Sequence, residues 1–183
     1  DYKHNLVVAS YPRGEGKTIC MAILTLFRFF NRFGELIHLA GNSKEQASFA
    51  HYELIKKTIQ NTPKLLNTPG LVIKEKHISL MGGPKEAINQ IKAIASSVGL
   101  LPGTTCAVFT ELHNMSREDE KFFIDLWTST RATPNAMVLV DTTVAEPGHI
   151  VYRIWEEYNK GETPTIFFHH YADQIYNPET TPE

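Results

Sequence analysis

The residues best suited to chemistry form one stretch near the start of the chain, Ser-Tyr-Pro-Arg-Gly-Glu-Gly-Lys-Thr at positions 10–18. This stretch lies between a short apolar run, residues 5–9, and a longer one, residues 19–30. A strand, a glycine-containing turn ending in Gly-Lys-Thr and then a helix make a phosphate-binding P-loop, in which the first helical amides face the anion. We therefore predict a nucleotide site formed by Pro12, Arg13, Gly14, Glu15, Gly16, Lys17 and Thr18.

Three of these residues have distinct expected roles. Gly16 lets the backbone approach a phosphate, Lys17 reaches the β- and γ-phosphates, and the hydroxyl of Thr18 holds Mg²⁺. The first glycine of the usual G-x-x-x-x-G-K-[ST] pattern is replaced by Tyr11. The alternative interpretation is a chance turn ending in Gly-Lys-Thr, which the flanking strand and helix patterns disfavour.

A carboxylate stands at the end of a second apolar run, residues 105–110. In a nucleoside triphosphatase, Glu111 would orient or deprotonate the attacking water. Thr110 occupies the position where an acid usually holds the metal, and we predict that its hydroxyl binds Mg²⁺ through a water molecule. The alternative for Glu111 is an ordinary surface acid, and His113 is either a contact of the site or a packed histidine.

A third strand end carries two adjacent threonines, Thr142 and Thr143, after the apolar run 136–141. Alone they would indicate only a turn. Ligands of parallel sheets bind beyond the carboxyl ends of the strands, where these threonines, Glu111 and the P-loop converge. We therefore predict that Thr142 and Thr143 sense the γ-phosphate.

The pattern of apolar residues alternates between strands and helices. The predicted strands are 5–10, 36–40, 105–110, 136–141 and 165–169, and the predicted helices are 17–33, 43–60, 117–128 and 148–158. This alternation predicts an α/β fold with a mostly parallel sheet. The first helix is apolar nearly all round, which predicts that it is buried rather than half exposed.

Residues 70–96 break the alternation and predict a small β-rich insertion. Its strands are expected at 71–74, 77–81 and 90–95. Between residues 56 and 92 there are seven lysines and two glutamates, so the segment is locally basic although the chain has a net charge of −2. Such a segment is either a nucleic-acid contact or a solvated surface.

The 183 residues, 42% of them apolar, are enough for one buried core and predict one domain. The run 19–30 is shorter than the roughly 20 residues that a membrane span needs, and we expect no membrane association. Cys20 and Cys106 both lie in apolar runs and are expected to be buried free thiols. The first strand begins after four residues, which favours a domain excised from a longer protein.

The sequence resembles a known family over most of its length, from about residue 5 to about residue 160. Four segments carry the resemblance in order: YPRGEGKT, LAGNSKEQASFAHYELIKK, IKAIASSVGLLPGTTCAVFTELH and VLVDTTVAEPG. They are similar to the ATPase domain of the large terminase subunits of tailed bacteriophages. The resemblance implies a three-layer, RecA-like P-loop NTPase that oligomerises and drives double-stranded DNA into a procapsid, with residues 1–183 as its ATPase domain.

The resemblance also implies roles for individual residues. Arg13, Lys17 and Thr18 correspond to the phosphate-loop arginine, lysine and threonine, Glu111 to the catalytic glutamate, and Thr142-Thr143 to the ATPase coupling motif. Arg131, expected in a loop after the helix that follows Glu111, is a candidate arginine finger for a neighbouring subunit, although a surface arginine is the simpler interpretation.

The implied cofactors are ATP and Mg²⁺, and the implied location is the host cytoplasm. The implied partners are double-stranded DNA, further copies in a ring, a portal protein and a small terminase subunit. Thr110 departs from the acidic residue of the family. The segment that reads adenine before the first strand and the acidic cluster of the family's nuclease domain are not among these residues.

Other functions share parts of this pattern. A RecA-like helicase or translocase would have the same fold and the same glutamate. A nucleotide-binding regulatory module with little hydrolysis is favoured by the neutral Thr110. A small-molecule kinase is disfavoured, because the sequence has no arginine-rich lid segment.

Overall fold

A computed structural model of the chain describes residues 5–41, 47–83, 87–95, 101–116, 119–143, 145–162 and 165–169. The helices are α1 (Lys17–Asn31), α2 (Ala47–Gln60), α3 (Pro63–Leu66), α4 (Glu120–Arg131) and α5 (Ile150–Lys160). The strands are β1 (Leu6–Ser10), β2 (Leu36–Gly41), β3 (Leu71–Ile73), β4 (His77–Met81), β5 (Ile88–Ala95), β6 (Cys106–Phe109), β7 (Met137–Thr142) and β8 (Thr165–His169).

All eight strands form one sheet, in the order β3-β4-β5-β2-β6-β7-β1-β8. The five pairings from β5 to β8 are parallel, whereas β3–β4 and β4–β5 are antiparallel. The predicted β-rich insertion therefore extends the edge of the main sheet. The central strands are apolar on both faces, as expected for parallel strands that are covered on both sides.

Helices cover both faces of this sheet. One core cluster joins α1 and α2 to the sheet through large side chains including Met21, Phe29, Tyr52, Ile55 and Ile59. The other joins α4 and α5 to the opposite face through Phe122, Phe123, Leu126, Ile150 and Ile154. Each buried side chain of this size contributes on the order of 1.5–3 kcal/mol relative to exposure. The layers place α1 beside the carboxyl ends of β1 and β7, where the predicted site lies.

The prediction that α1 is buried all round is wrong. Its packed face contains Met21, Leu26 and Phe29, while Ile19, Ile23, Leu24 and Phe27 are exposed on the other side. The sheet and α2 cover only part of the helix surface, and a pattern that is apolar on every face cannot tell which part. Cys20 is exposed for the same reason, against the prediction, whereas Cys106 on β6 is buried as expected.

Several predicted boundaries also differ. Helix α4 begins at Glu120, three residues later than predicted. The hydroxyl of Ser116 accepts a hydrogen bond from the Asp119 amide at 3.3 Å, which closes a turn before the helix. Arg131 is the last residue of α4 and not part of a loop. The predicted cap at residues 43–46 lies outside the described residues. Within the described ranges, no helix is long and apolar enough to cross a membrane.

Candidate nucleotide and metal site

The loop between β1 and α1 has the backbone that a phosphate cradle needs. Gly14 and Gly16 adopt φ values of 88° and 73°, a region that side-chain-bearing residues rarely enter. Gly16 immediately precedes α1, so the unpaired amides of the first helical turn face the space beyond β1. The helix dipole adds roughly half a positive charge at this point. The loop is therefore built to hold an anion.

Lys17, the first residue of α1, is 7% exposed. Its ammonium donates a hydrogen bond to the carbonyl oxygen of Pro12 at 3.3 Å. This contact holds the positive charge across the mouth of the loop, beside the amides that would bind phosphate. Arg13 at the tip of the loop is exposed, and Glu15 and Thr18 are half-buried.

Hydrogen bonds join the loop to β7. The amide of Tyr11 donates to the carbonyl oxygen of Thr142 at 3.2 Å, directly after the parallel pairing of Ser10 with Thr142. The side chain of Thr142 is fully buried, whereas Thr143 is half-buried. The structure thus brings the predicted sensor residues against the phosphate loop.

Glu111 stands at the carboxyl end of β6, on the same edge of the sheet. Its φ of 53° is left-handed, which costs a residue with a side chain on the order of 1 kcal/mol. Its amide donates to Asp141 Oδ1 at 2.6 Å, and Asn114 Nδ2 donates to its Oε2 at 2.9 Å. The strained backbone is therefore held by hydrogen bonds, and the carboxylate is left exposed.

His113 connects the turn after Glu111 with the threonines of β7. Its amide donates to Thr142 Oγ1 at 3.1 Å, and its Nδ1 accepts from the Thr143 amide at 3.3 Å. An accepting Nδ1 corresponds to the neutral tautomer of the ring, which carries its proton on Nε2. Burial lowers the pKa of His113, the Glu111 carboxylate opposes this shift, and the charges of Lys17 and Arg13 add to it. His113 is thus a contact of the site, near the P-loop charges and Glu111.

Asp141 is a residue of the site that the sequence interpretation missed. It is the penultimate residue of β7 and is fully buried. Its Oδ2 accepts a hydrogen bond from the Thr18 hydroxyl at 3.0 Å, while its Oδ1 accepts the Glu111 amide. Burial raises the pKa of Asp141, and these two hydrogen bonds and the nearby Lys17 oppose the shift. The available signal was an acid at the end of an otherwise apolar strand.

The oxygen atoms at this point suit a hard divalent cation such as Mg²⁺. Asp141 contacts the Thr18 hydroxyl, and the buried Thr110 hydroxyl has no hydrogen-bond partner among the residues that the structure describes. Within the described ranges, no group of three or more His, Cys, Asp or Glu side chains is arranged to hold a metal alone. The protein oxygens would therefore form part of a shell completed by phosphate and water, which is how Mg²⁺ is commonly bound beside nucleotides.

Arg131 lies away from these residues. Helix α4 runs from the carboxyl end of β6 back toward the amino end of β7, and Arg131 is its last residue. Its guanidinium stacks 5.2 Å from the ring centre of Trp127, whose indole nitrogen donates to Asn5 just before β1. Arg131 therefore lies at the amino ends of the strands, whereas Lys17 lies at their carboxyl ends. Its role in a neighbouring subunit stays a prediction.

No protein-family model matches this sequence, and no curated protein matches it either. Solved structures do match. The large terminase of bacteriophage HK97 superposes with a TM-score of 0.74 at 19% identity over 98% of this chain. The large terminase of a thermophilic bacteriophage, in complex with ATP-gamma-S, gives 0.64 at 15% identity over 94%. The N-terminal domain of the DNA packaging ATPase from bacteriophage phi29 gives 0.61 at 14% identity over 95%.

The chain has the three-layer, RecA-like fold of phage large terminase ATPase domains. It spans 37% of the HK97 protein and 40% of the thermophilic phage's protein, but 94% of the phi29 domain.

Proposed function

We propose that this chain is the ATP-hydrolysing motor domain of a viral DNA-packaging terminase. The observation that carries the proposal is the convergence of Lys17, Glu111 and Thr142 at the carboxyl ends of neighbouring strands. Hydrogen bonds from Tyr11 to Thr142 and from Glu111 to Asp141 link these strand ends. Similarity to large terminases and to a packaging ATPase supports the choice of DNA packaging among the functions of this fold.

Each residue has a defined part in this proposal. The amides of the first turn of α1 and the ammonium of Lys17 bind the phosphates of ATP. Glu111, exposed at the end of β6, accepts a proton from the attacking water and orients it. Thr18 and, through a water molecule, Thr110 would hold Mg²⁺, which, when bound, neutralises charge on the phosphate oxygens. The terminase of the thermophilic phage, which was solved with ATP-gamma-S, supports ATP as the ligand of this fold.

Thr142 and Thr143 are the proposed link between the nucleotide and movement. Thr142 contacts the P-loop through its carbonyl oxygen and His113 through its hydroxyl. A change at the γ-phosphate would therefore reach the turn that carries Glu111 through one buried threonine. The regulatory-module alternative rested on the neutral Thr110. The buried Asp141, which accepts a hydrogen bond from Thr18, places an acid beside the same site and favours hydrolysis instead.

Two substitutions separate binding from hydrolysis. Lys17→Ala should weaken ATP binding, since it removes the cation at the phosphate loop. Glu111→Gln should keep ATP binding and lower the hydrolysis rate by about 10²- to 10⁴-fold, the usual contribution of a general base. Exposed Lys121→Ala on α4 is the matched control. Equal hydrolysis by Glu111→Gln and the parent chain would refute the assigned role.

Arg131 is proposed to act on the site of a neighbouring subunit in the ring, which mixing variants can test. Arg131→Ala and Glu111→Gln should each be inactive as a single species. In a mixture, an Arg131→Ala subunit keeps its own Glu111 and receives an arginine from its Glu111→Gln neighbour, so activity should partly return. An arginine finger contributes about 10³- to 10⁵-fold to turnover. A mixture that stays inactive would argue against this residue.

The proposed DNA surface is the basic edge around α3, β3 and β4, where Lys64, Lys74 and Lys76 are exposed. Their lysine side chains would contact phosphates, which makes affinity fall with salt. Replacing each by Glu should reduce the slope of log affinity against log salt by about 1. Lys160→Glu, at the end of α5, is the control. Unchanged affinity and slope in all three variants would exclude this surface.

A further inference from the structure

Thr110 stands where an acid usually holds the metal, and an acidic residue, Asp141, lies beside it on the neighbouring strand. Strands β6 and β7 are parallel, and Phe109 pairs with Val140. The next residues are Thr110, directly after β6, and Asp141, within β7. Adjacent strands are about 4.8 Å apart, so the step from Thr110 to Asp141 crosses one strand spacing toward β1.

The two side chains also share a face of the sheet. Side chains alternate along a strand, so Thr110 follows Val108 and Asp141 follows Leu139. Val108 and Leu139 belong to the core cluster that packs against α1. Asp141 is paired with Ala9 at the end of β1, next to the P-loop, and this brings it within hydrogen-bond distance of Thr18. Thr110 lies one strand further away.

The surroundings of Asp141 leave its charge incompletely balanced. The residue is fully buried, and among the described residues no cationic side chain lies within 4.0 Å of its carboxylate. Lys17 is near, but its ammonium donates to Pro12. A buried carboxylate without a paired cation costs several kcal/mol, so a structure keeps one where a cation binds or where its charge has a use.

We propose that Asp141 supplies the acidic function that Thr110 lacks, holding the Mg²⁺ shell at Thr18 from the neighbouring strand. This inference rests on the proposed nucleotide site. Its second part is positional: the same carboxylate accepts the amide of Glu111, whose left-handed backbone needs a support. One oxygen of Asp141 thus faces the metal ligand Thr18, and the other fixes the segment that carries Glu111.

The test compares ADP binding in Mg²⁺ with ADP binding in EDTA, measured by calorimetry on the whole chain. The parent chain should bind ADP more tightly in Mg²⁺. Asp141→Asn should lose this gain, by about 10- to 100-fold in the ratio of the two dissociation constants. In EDTA it should bind ADP at least as tightly as the parent, because a carboxylate that repels phosphate is gone. A misfolded variant would instead bind weakly in both.

Two further variants sharpen the result. Thr110→Asp in the Asp141→Asn background returns an acid to β6 and should restore most of the Mg²⁺ dependence. Thr110→Val removes the orphan hydroxyl and should have a smaller effect than Asp141→Asn. Full Mg²⁺ dependence in Asp141→Asn, or a larger loss in Thr110→Val, would overturn the inference. A parent chain that binds no ADP in either condition would instead refute the nucleotide site itself.

Discussion

A buried carboxylate lies at each end of the parallel strands, and the negative charge is compensated in different ways at the two ends. Glu35, just before β2 at the amino-end edge, is 3% exposed. Arg28 donates to both of its oxygens at 3.0 Å, and Arg32 lies 3.2 Å away. Asp141, at the carboxyl-end edge, accepts only neutral hydrogen-bond donors, from Thr18 and Glu111, among the described residues.

This difference distinguishes a structural charge from one available for binding. Arg28 also donates to the carbonyl oxygens of Thr105 and Asn135, which precede β6 and β7. The pair with Glu35 therefore fastens the amino ends of the central strands, and the charge of the Glu35 carboxylate is compensated inside the chain. At the carboxyl ends of the strands, the charge of Asp141 is left incompletely compensated beside the proposed nucleotide site. The buried carboxylate is paired with arginines at the amino ends of the strands and has no such partner, among the described residues, at their carboxyl ends.

The largest expected effect comes from removing the buried ion pair at the amino ends of the strands. Arg28→Met leaves the buried Glu35 with Arg32 and the hydroxyl of Thr105 as its remaining partners, and the free energy of unfolding should fall by about 3–5 kcal/mol. Urea denaturation measures it. The matched control is Lys121→Met, which breaks the exposed ion pair with Asp125 and should change stability by no more than about 0.5 kcal/mol. Similar losses in both variants would contradict the structural role of the buried pair.

Two buried histidines, His38 and His51, are groups whose charged form the folded chain disfavours. Burial lowers the pKa values of His38 and His51 to about 4, and Lys92 adds to the effect on His38. Below pH 6.5 these two histidines bind protons in the unfolded chain, whereas in the folded chain they stay neutral until the pH approaches 4. Stability should therefore fall as the pH drops toward 4, by about 2 kcal/mol for each histidine between pH 7 and pH 5.

The check is the unfolding free energy against pH, in the parent chain and in His51→Leu. Both ring nitrogens of His51 lack a hydrogen-bond partner among the described residues, so leucine removes an imidazole without orphaning another group. The variant should lose its share of the pH dependence. An unaltered slope between pH 7 and pH 5 would show that His51 binds its proton equally well in the folded and unfolded chains, which contradicts the lowered pKa.

The smallest effect has the opposite sign and tests the comparison most directly. Because burial raises the pKa of Asp141, its charge destabilises the folded chain at neutral pH. Asp141→Asn keeps an acceptor for the Glu111 amide and should leave stability unchanged or raise it by about 1 kcal/mol. Glu35→Gln should lower it. If both substitutions destabilised equally in thermal or urea unfolding, the two carboxylates would not differ as described.

Much of the fold followed from the sequence because its signals are local. Apolar runs of five or six residues fixed β1, β2, β6, β7 and β8 to within a residue or two, and the P-loop follows from consecutive residues. The exposed face of α1 did not follow, because Ile23 and Phe27 look like core residues in any local window. Whether such residues are covered depends on how much of the helix its neighbours can reach.

Neighbouring residues were enough to predict the loop between β1 and α1, the carboxylate after β6 and the alternation of strands and helices, since each is a local property of the chain. The position of Asp141 beside Thr18 could be seen in the folded chain alone. These residues are 123 positions apart, and their contact depends on β7 lying between β6 and β1 in the sheet. Strand order depends on residues that are far apart in the sequence. It places Asp141 of β7 beside Thr110, the neutral residue that follows β6.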